Sequence, residues 1–319
     1  MSPSSLDPKF MTRYPFRLAP VLPKMPALRP TQSSLPLLEP NALPPQDPIP
    51  LVQVIAQTYI IAYREETDRL EQVLQQAGLS CEVLRQADCP EYQRYSSSYR
   101  CFLNHQQAWQ RAARSCQLTL IVEADFVPVV GFGQLPLPFD RTEPQAGICW
   151  LYTCAPQLYS VSTQGFAHGF STGLVAYILT PQAAQALCEF AHVLSQPNSY
   201  TTFDSQIECF LRSRQFRNYI PFRNYGEHGG KPNPEHYRYG LSRDHRADVL
   251  WGQLAFPPTY AEATAYPQLT YTWIRSKARL KGILRLLIGK FLRLKVLQGS
   301  TVSNRLIGFA LRRQFTFRL

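Results

Sequence analysis

The stretch "LTLIVEADFVP" (residues 118–128) is mostly apolar up to Val122 and then carries acids at Glu123 and Asp125, with only Ala124 between them. A short apolar run of this kind predicts a buried β-strand. In open α/β sheets, ligands bind outside the carboxyl ends of the strands. The two carboxylates therefore form either a solvated turn or a site for a divalent cation such as Mn²⁺ or Mg²⁺, which favour oxygen ligands.

The segments before this strand predict a strand–helix–strand unit. "VQVIAQTYIIAY" (52–63) indicates one or two buried strands, and "CEVL" (81–84) indicates another. Between them, "EETDRLEQVLQQAG" (65–78) has apolar residues at helical spacing and ends at Gly78, a residue typical of helix C-termini. A strand, a helix and a strand with short connections form the βαβ unit of a parallel sheet.

The segments around and after the strand continue the α/β pattern. "SYRCFLNHQQAWQRAARS" (98–115) predicts a helix, and "GLVAYILT" (173–180) predicts a strand. Thr180 is suited to cap a following helix, with Pro181 in its first turn. We therefore predict an α/β fold in which helices flank a mostly parallel sheet.

Composition divides the chain into three parts. Residues 1–50 hold 13 of the 27 prolines and predict a disordered leader, so the folded domain is expected at 51–270. Twelve of the 33 basic residues follow Glu262, where no acid occurs, so the preceding chain carries 21 basic and 22 acidic residues. Residues 271–319 are thus expected to form a basic tail that binds a partner.

Cysteine spacing and hydropathy exclude several classes of protein. The eight cysteines are scattered without a C-x-x-C pair, which favours reduced thiols in a cytoplasmic protein over disulfides or a cysteine zinc site. No apolar run is long enough for a transmembrane helix, and no apolar segment typical of a signal peptide precedes the first prolines.

Five blocks occur in the same order as in one known family. They are "YIIAYREETDRLEQVLQQAGL", "YSSSYRCFLNHQQAWQRA", "LTLIVEADFVP", "STGLVAYILTPQAAQAL" and "TTFDSQIECFL". In this order they resemble glycosyltransferase family 25, the lipopolysaccharide-type sugar transferases that also include the collagen galactosyltransferases. The resemblance covers about residues 53–212. Two positions depart from the family pattern, because Asn104 replaces a serine and Ala124 replaces the middle acid of a Glu-Asp-Asp triplet.

The resemblance implies a GT-A-like fold and an inverting, metal-dependent transfer of a hexose to a glycan or a lipid-linked acceptor. The implied donor is a nucleotide sugar, with a UDP-hexose expected, and the implied metal is Mn²⁺ or Mg²⁺. It also implies a set of residues near the donor. These are Arg64, Asp68, Asn104, His105 and Glu123.

The late acid of the resemblance, Asp204, is the expected general base for the acceptor hydroxyl. Its alternative interpretation is a helix N-cap after Thr201, Thr202 and Phe203. His105 likewise has two interpretations. It either lies near the donor or is a hydrogen-bonded core histidine on a helix face with Phe102 and Trp109.

The segment "NYGEHGGKPNPEHYRYG" (224–240) predicts an irregular loop. Imidazole is a suitable ligand for Mn²⁺, and His228 precedes two glycines that let the backbone approach a ligand closely. We therefore predict a metal site of Glu123, Asp125 and His228, with His236 in reserve. The alternative is an ordinary surface loop.

The tail predicts an amphipathic helix. One face is apolar, and Arg275, Arg279, Arg285, Lys290 and Arg293 lie mostly opposite. The apolar positions are Leu280, Ile283, Leu284, Leu287, Phe291 and Leu294. Such a helix either lies on the anionic cytoplasmic face of a membrane or packs on the domain with a solvated basic face. Nucleic acid is not expected as a partner, because the helix has few aromatic residues and no known binding motif.

Two other functional classes stay open at this stage. Ala124 is compatible with a catalytically inactive relative that binds a nucleotide sugar or serves as a scaffold. A basic membrane- or nucleic-acid-binding protein with a purely structural core is the other alternative.

Overall fold

The computed structural model describes residues 49–193, 203–230 and 245–316. The expected leader lies outside these ranges apart from its last two residues. None of the helices in the described ranges combines the length and the apolar character that a membrane span requires.

One eight-stranded sheet forms the centre of the described chain. Its strands are β1 (Ile55–Ala62), β2 (Cys81–Arg85), β3 (Leu118–Glu123), β5 (Ala146–Trp150), β6 (Cys154–Val161), β7 (Ala167–Thr172), β8 (Ala176–Leu179) and β9 (Arg217–Ile220). Their spatial order is β2-β1-β3-β8-β5-β9-β7-β6. The pairings make six of the eight strands point one way, with β7 and β8 opposed.

Helices accompany the sheet along the chain. They are α1 (Asp68–Gln76), α2 (Ser97–Ala112), α3 (Pro181–Val193), α4 (Phe203–Ser213), α5 (Thr259–Glu262), α6 (Pro267–Leu287), α7 (Leu294–Gln298) and α8 (Ser303–Phe315). The predicted α/β class, with helices flanking a sheet of mostly parallel strands, is confirmed.

The predicted strand–helix–strand unit is confirmed. β1, α1 and β2 follow one another, and β1 pairs in parallel with both β2 and β3. Gly78 lies just beyond α1 with φ +81°, a left-handed conformation that a glycine adopts without strain. Thr180 Oγ1 accepts a hydrogen bond from Ala183 N at 3.2 Å, so its predicted role as a cap of α3 is also confirmed.

The central strands β3, β5 and β8 are buried on both faces, which explains why they are apolar without alternation. Ile61 and Ile121 join a core cluster with α2, α3 and α4, whereas Ile60 and Leu120 join a second cluster with α1. Successive side chains of a strand point to opposite faces. A strand covered on both sides therefore needs an apolar residue at nearly every position.

A second, two-stranded sheet lies beside the end of β3. It pairs β4 (Phe126–Pro128) with β10 (Gly226–His228) in antiparallel register, with His228 opposite Phe126. The prediction of an irregular loop at 224–240 is therefore wrong for residues 226–228. Residues 231–240, including the reserve ligand His236, lie outside the described residues.

The basic tail does not form the continuous helix that its pattern predicts. α6 ends at Leu287, and Gly289 follows with φ +67°. Phe291, expected on the apolar face of that helix, lies beyond α6 and is buried, and its carbonyl accepts a hydrogen bond of 2.8 Å from Leu158 N in β6. The expected boundary between domain and tail at residue 271 also falls inside α6, which begins at Pro267.

The expected basic face of α6 is directed toward the rest of the domain. Arg275 pairs with the buried Glu227, and Arg279 Nη1 donates to Gln314 Oε1 at 3.3 Å. Arg285 Nη2 donates to a β6 carbonyl at 3.0 Å. The alternative of a helix packed on the domain with a solvated basic face is therefore wrong for these arginines, because the core offers them acceptors that only the folded chain brings together.

Close packing between β10 and β4 makes a glycine necessary at position 226. A Cβ there would lie 2.4 Å from the ring of Phe126 and 2.5 Å from Val127 O. We expect Gly226→Ala to lower the free energy of unfolding by about 1–3 kcal/mol, the usual cost of overpacking. Chemical denaturation followed by circular dichroism measures it.

Gly308 provides the matched control for this substitution. It lies within α8, and a Cβ there meets no atom within 4 Å. Gly308→Ala should leave stability unchanged or raise it by up to about 1 kcal/mol, since alanine is the better helix former. Equal unfolding midpoints for the two variants would show that the β4–β10 contact is not tight.

Candidate metal centre at the end of β3

Glu123 and Asp125 flank the point where β3 ends. Glu123 is the last residue of β3, and its backbone N–H donates to Val175 O at 2.8 Å. Ala124 N donates to Ile61 O at 2.8 Å, so the chain keeps its contact with β1 for one more residue. The side chain of Ala124 packs partly buried against the core cluster that contains β1 and α1.

The β4–β10 pairing brings His228 to this strand end. Gly229 N donates to Asp125 O at 2.7 Å, and His228 Nε2 lies 3.0 Å from Asp125 Oδ2. The possible ligand atoms of Glu123, Asp125 and His228 all lie within 4.8 Å of one another. The structure thus brings together the three residues that the sequence predicts as metal ligands.

The two glycines after His228 allow this approach. A Cβ on Gly230 would lie 2.2 Å from Asp125 Oδ2, and one on Gly229 would lie 3.0 Å from Asp125 O. Sequence reasoning expected these glycines to let the backbone approach a ligand. In the structure they let it approach the carboxylate of Asp125 itself.

The donor set fits a hard or borderline divalent cation. It consists of two carboxylates and one imidazole, a mixture suited to Mn²⁺. Asp125 Oδ1 is buried and has no hydrogen-bond partner within the described ranges, which is costly unless a ligand binds it. Burial raises the pKa of Asp125, but His228 and Arg246 outweigh burial and hold the pKa below its ordinary value. Asp125 is therefore ionised at neutral pH.

Arg246 controls which nitrogen of His228 is free. Its Nη1 lies 3.0 Å from His228 Nδ1 and also donates to His228 O at 2.9 Å. Because arginine only donates, Nδ1 accepts, and Nε2 carries the proton that faces Asp125. Binding of a cation at Nε2 requires that proton to leave. Arg246 would then lose its contact with Nδ1, while its other bonds go to the backbone carbonyls of His228, His245 and Gly230.

A buried chain of hydrogen bonds orients Glu123. Trp109 Nε1 donates to Tyr177 Oη at 2.8 Å, and Tyr177 Oη lies 2.9 Å from His105 Nδ1. His105 Nε2 lies 3.2 Å from Glu123 Oε1, which the Cys101 thiol also approaches at 3.8 Å. Burial raises the pKa of Tyr177 well above its ordinary value, so the hydroxyl keeps its proton.

If the imidazole of His105 is neutral, the donor and the acceptor of each of these hydrogen bonds are determined. Tyr177 accepts a hydrogen bond from Trp109 and donates one through its O–H to Nδ1 of His105, so Nε2 of His105 donates to Glu123. His105 is thus a hydrogen-bonded core histidine, as one interpretation had it, and it also contacts a predicted ligand. Oε1 of Glu123 receives these bonds, which leaves Oε2 for a cation.

Asp204 lies in the first turn of α4 and also faces this group. Its Oδ2 accepts a hydrogen bond from Gly173 N at 3.0 Å. The residue follows Phe203 inside the helix, so the N-cap interpretation is wrong, and Thr201 and Thr202 lie outside the described residues. Burial and the nearby Glu123 raise the pKa of Asp204 above its ordinary value, against the opposing effect of His105.

Three predicted donor residues lie apart from this group. Arg64, just after β1, is exposed and pairs with Asp88 at 3.2 Å, and Asp68 is exposed in the first turn of α1. In the described ranges, neither has a hydrogen bond or ion pair to Glu123. Asn104 is buried and donates to Ala62 O at 2.9 Å and to Leu84 O at 3.1 Å, so it joins the ends of β1 and β2.

Sequence reasoning missed several members of the site. Arg246 has no local motif, and only the fold places it against His228. Cys101 lies one helical turn before His105, a spacing that puts both on one helix face. Tyr177 had a signal in the Gly-x-x-x-Tyr pattern that starts at Gly173, although its bond to His105 did not follow from that pattern.

Comparison with known proteins gives structural neighbours only. No family model matches the chain, and no curated protein matches it. Among solved structures, a glycosyltransferase involved in glycosylation of the major capsid of PBCV-1 is similar with 11% identity and a TM-score of 0.36, over 51% of this chain and 80% of that one.

Two further structures are similar over different shares of the chain. One is a Drosophila β-1,4-galactosyltransferase 7 mutant with manganese, UDP-Gal and xylobiose, at 10% identity and TM-score 0.31, over 52% of this chain and 64% of that one. The other is a Pyrobaculum calidifontis mannosyltransferase with GDP-Man and Mn²⁺. It is similar at 12% identity with a TM-score of 0.29, over 84% of this chain and 90% of that one. Scores this low carry no functional argument, so the function rests on the site.

We expect His105→Ala to weaken Mn²⁺ binding about 10–100-fold, the usual effect of removing a group that orients a metal ligand. The affinity can be measured from the electron paramagnetic resonance signal of free Mn²⁺, at a temperature where circular dichroism shows the variant folded. His168→Ala is the control, because His168 bonds to Ser160 in the far part of the sheet. Equal affinities in the two variants would contradict the proposed orientation of Glu123.

Proposed function

We propose that this protein is a metal-dependent, inverting glycosyltransferase of the family-25 kind. It would transfer a hexose from a nucleotide sugar, a UDP-hexose by resemblance, to a hydroxyl of a glycan or lipid-linked acceptor. The observation that carries the proposal is the convergence of Glu123, Asp125 and His228 at the carboxyl end of β3, around a buried carboxylate oxygen that has no partner among the residues the structure describes. This end is where open α/β sheets bind ligands.

The residues present divide into ligands and the groups that hold them. Glu123 and Asp125 would hold Mn²⁺ or Mg²⁺ together with His228, while His105 fixes the orientation of Glu123. A bound divalent cation neutralises charge on the departing nucleoside diphosphate. Arg64 lies at the carboxyl end of β1 with 71% of its side chain exposed, where it can meet the nucleotide part of a donor.

Asp204 is the base in this proposal. Its carboxylate takes the proton of the acceptor hydroxyl as the hydroxyl oxygen forms a bond to the anomeric carbon, and the bond from that carbon to the diphosphate breaks. Burial and Glu123 raise the pKa of Asp204, whereas the pKa of Asp125 is held low. Two carboxylates with opposite shifts are suited to two different tasks, proton transfer and ligand binding.

Ala124 does not remove a member of this donor set. Its methyl group packs partly buried against the core cluster, while Glu123 and Asp125 remain close enough to share one cation with His228. The alternative of an inactive nucleotide-sugar-binding relative rests on the missing acid at this position. The two functions differ in turnover, because both predict donor binding.

Substitution of the two acids should separate binding from turnover. We expect Mn²⁺ with a UDP-hexose to raise the melting temperature of the wild-type chain, since ligand at 100 times Kd adds about 2.7 kcal/mol of stability. Asp125→Asn should lose this shift. Asp204→Asn should keep the shift while its release of UDP falls by about 10²–10⁴-fold, the usual contribution of a general base. Donor turnover with a panel of acceptors supplies the second measurement.

The control variant is Glu189→Gln, which removes one carboxylate from an exposed ion pair with Arg214. It should match the wild type in both measurements. Donor binding without turnover in the wild type would favour the inactive relative. An absent thermal shift for the wild type across UDP, GDP and other nucleotide sugars would contradict the proposal as a whole.

A further inference from the structure

A cavity of ≈ 160 Å³ lies between α6 and the start of β6. Among the described residues of its wall, four side chains are cationic and the single acid is Asp248. The cations are Arg246, Lys277, Lys281 and Arg285. The space holds several water molecules, or one small polar group. The excess of cations indicates an anionic occupant.

The acid in the wall is already neutralised. Asp248 Oδ1 pairs with the buried Arg313 at 2.7 Å, and Asp248 Oδ2 accepts from Gln314 Nε2 at 2.7 Å. Lys277 and Lys281 are exposed and have no ion pair in the described ranges. The net charge facing the cavity is therefore positive.

Two of the four cationic side chains have a buried N–H group that makes no hydrogen bond to the described residues. Arg285 donates through Nη2 to Ala155 O, and Arg246 donates to carbonyls that include Gly230 O at 3.0 Å. The Nε–H groups of both side chains are buried without a partner in the described ranges. A buried unpaired donor is costly, and a guanidinium group binds phosphate with more than one N–H.

The outer side of α6 presents an apolar stripe beside this cavity. Trp273 lies on the stripe, where it is 70% exposed, and it also lines the cavity. Its neighbours on the stripe are about one or two helical turns apart. They are Leu269, Leu280, Leu284 and Leu287, which are 53–72% exposed. An apolar stripe of this length is unusual on a solvated surface.

Charge indicates what covers the stripe. From residue 263 to 316 the chain has no acid, and seven of its basic residues are exposed, so an anionic surface is attracted to this region. Tryptophan is enriched at membrane interfaces, where one part of the ring is apolar and the N–H is hydrated. A helix with an exposed apolar face and basic neighbours suits the headgroup layer of a bilayer.

We propose that the cavity between α6 and β6 is a binding site for the phosphate group of a membrane lipid. The phosphate binds the arginines and lysines of the wall, and the lipid's apolar part continues past Trp273 into the bilayer on which the stripe lies. This site goes beyond the proposed function and needs neither metal nor nucleotide sugar. It shares Arg246 with the candidate metal centre, so its phosphate lies one side chain from His228.

The test compares two pairs of lysine substitutions in the full chain, with EDTA present and nucleotide absent. Lys277→Gln/Lys281→Gln removes two cations of the cavity wall. Lys290→Gln/Lys295→Gln removes two exposed cations outside it and is the matched control, because both variants lose the same charge. Circular dichroism confirms that each is folded.

Binding is measured with two probes. The first is inorganic phosphate, followed by ³¹P NMR. The second is flotation with phosphatidylcholine vesicles that contain a minor fraction of phosphatidic acid. We expect the cavity variant to lose about 10-fold or more in affinity for both probes, and the control variant to bind inorganic phosphate as the wild type does. Added inorganic phosphate should also reduce flotation of the wild type.

Three results would overturn the proposal. Equal losses of phosphate affinity in the two variants would show that general charge, not the cavity, attracts the anion. Loss of phosphate binding with unchanged flotation would assign the site to a soluble phosphate compound in place of a lipid. A wild-type chain that sediments as a dimer and does not float would show that a second copy covers the stripe.

Discussion

The buried carboxylate of Glu227 joins three separate parts of the chain. One oxygen accepts from Ala247 N at 2.9 Å and from His228 N at 3.1 Å, and the other pairs with Arg275 of α6. Glu227 is fully buried, and loss of one partner from a buried ion pair costs about 3–5 kcal/mol. This one group therefore fixes β10, the segment at residue 247 and α6 relative to one another.

The candidate site depends on this arrangement. His228 is the neighbour of Glu227 in β10, so the group that fixes the strand also fixes the imidazole beside Asp125. From the other side, Tyr177 and His105 hold Glu123 through buried hydrogen bonds. The acids are thus oriented from two independent parts of the core, which keeps their oxygens close together in spite of their mutual repulsion.

The sequence predicts the elements better than their contacts. Periodicity identifies β1, α1, β2, α2 and β3, because each has its own pattern of buried positions, and the acids after β3 follow from that strand. The antiparallel β4–β10 pairing could not be read, since Gly226 and its neighbours indicate a turn by composition. Glycine is required at positions 226 and 230 because the backbone there contacts Phe126 and Asp125, which lie about 100 residues earlier in the chain.

In the basic tail, too, the sequence predicts a helix but not its contacts. Its pattern correctly indicates an amphipathic helix but does not specify which face is buried. Arg275 and Arg285 turn inward because Glu227 and the carbonyls at β6 accept their N–H groups, and those acceptors exist only in the folded domain. The apolar face is left outward as a result. A helix that buries its arginines and exposes its leucines has a surface suited to a non-aqueous partner.

The most direct measurement of the central claim is a crystal structure of the full chain with Mn²⁺ and UDP, with anomalous diffraction recorded at the manganese edge. We predict one anomalous peak within about 2.0–2.3 Å of oxygens from Glu123 and Asp125, the range for divalent cations with carboxylate ligands. The UDP diphosphate should bind the same ion. Bound UDP with its diphosphate elsewhere, and no peak between these two carboxylates, would contradict this prediction.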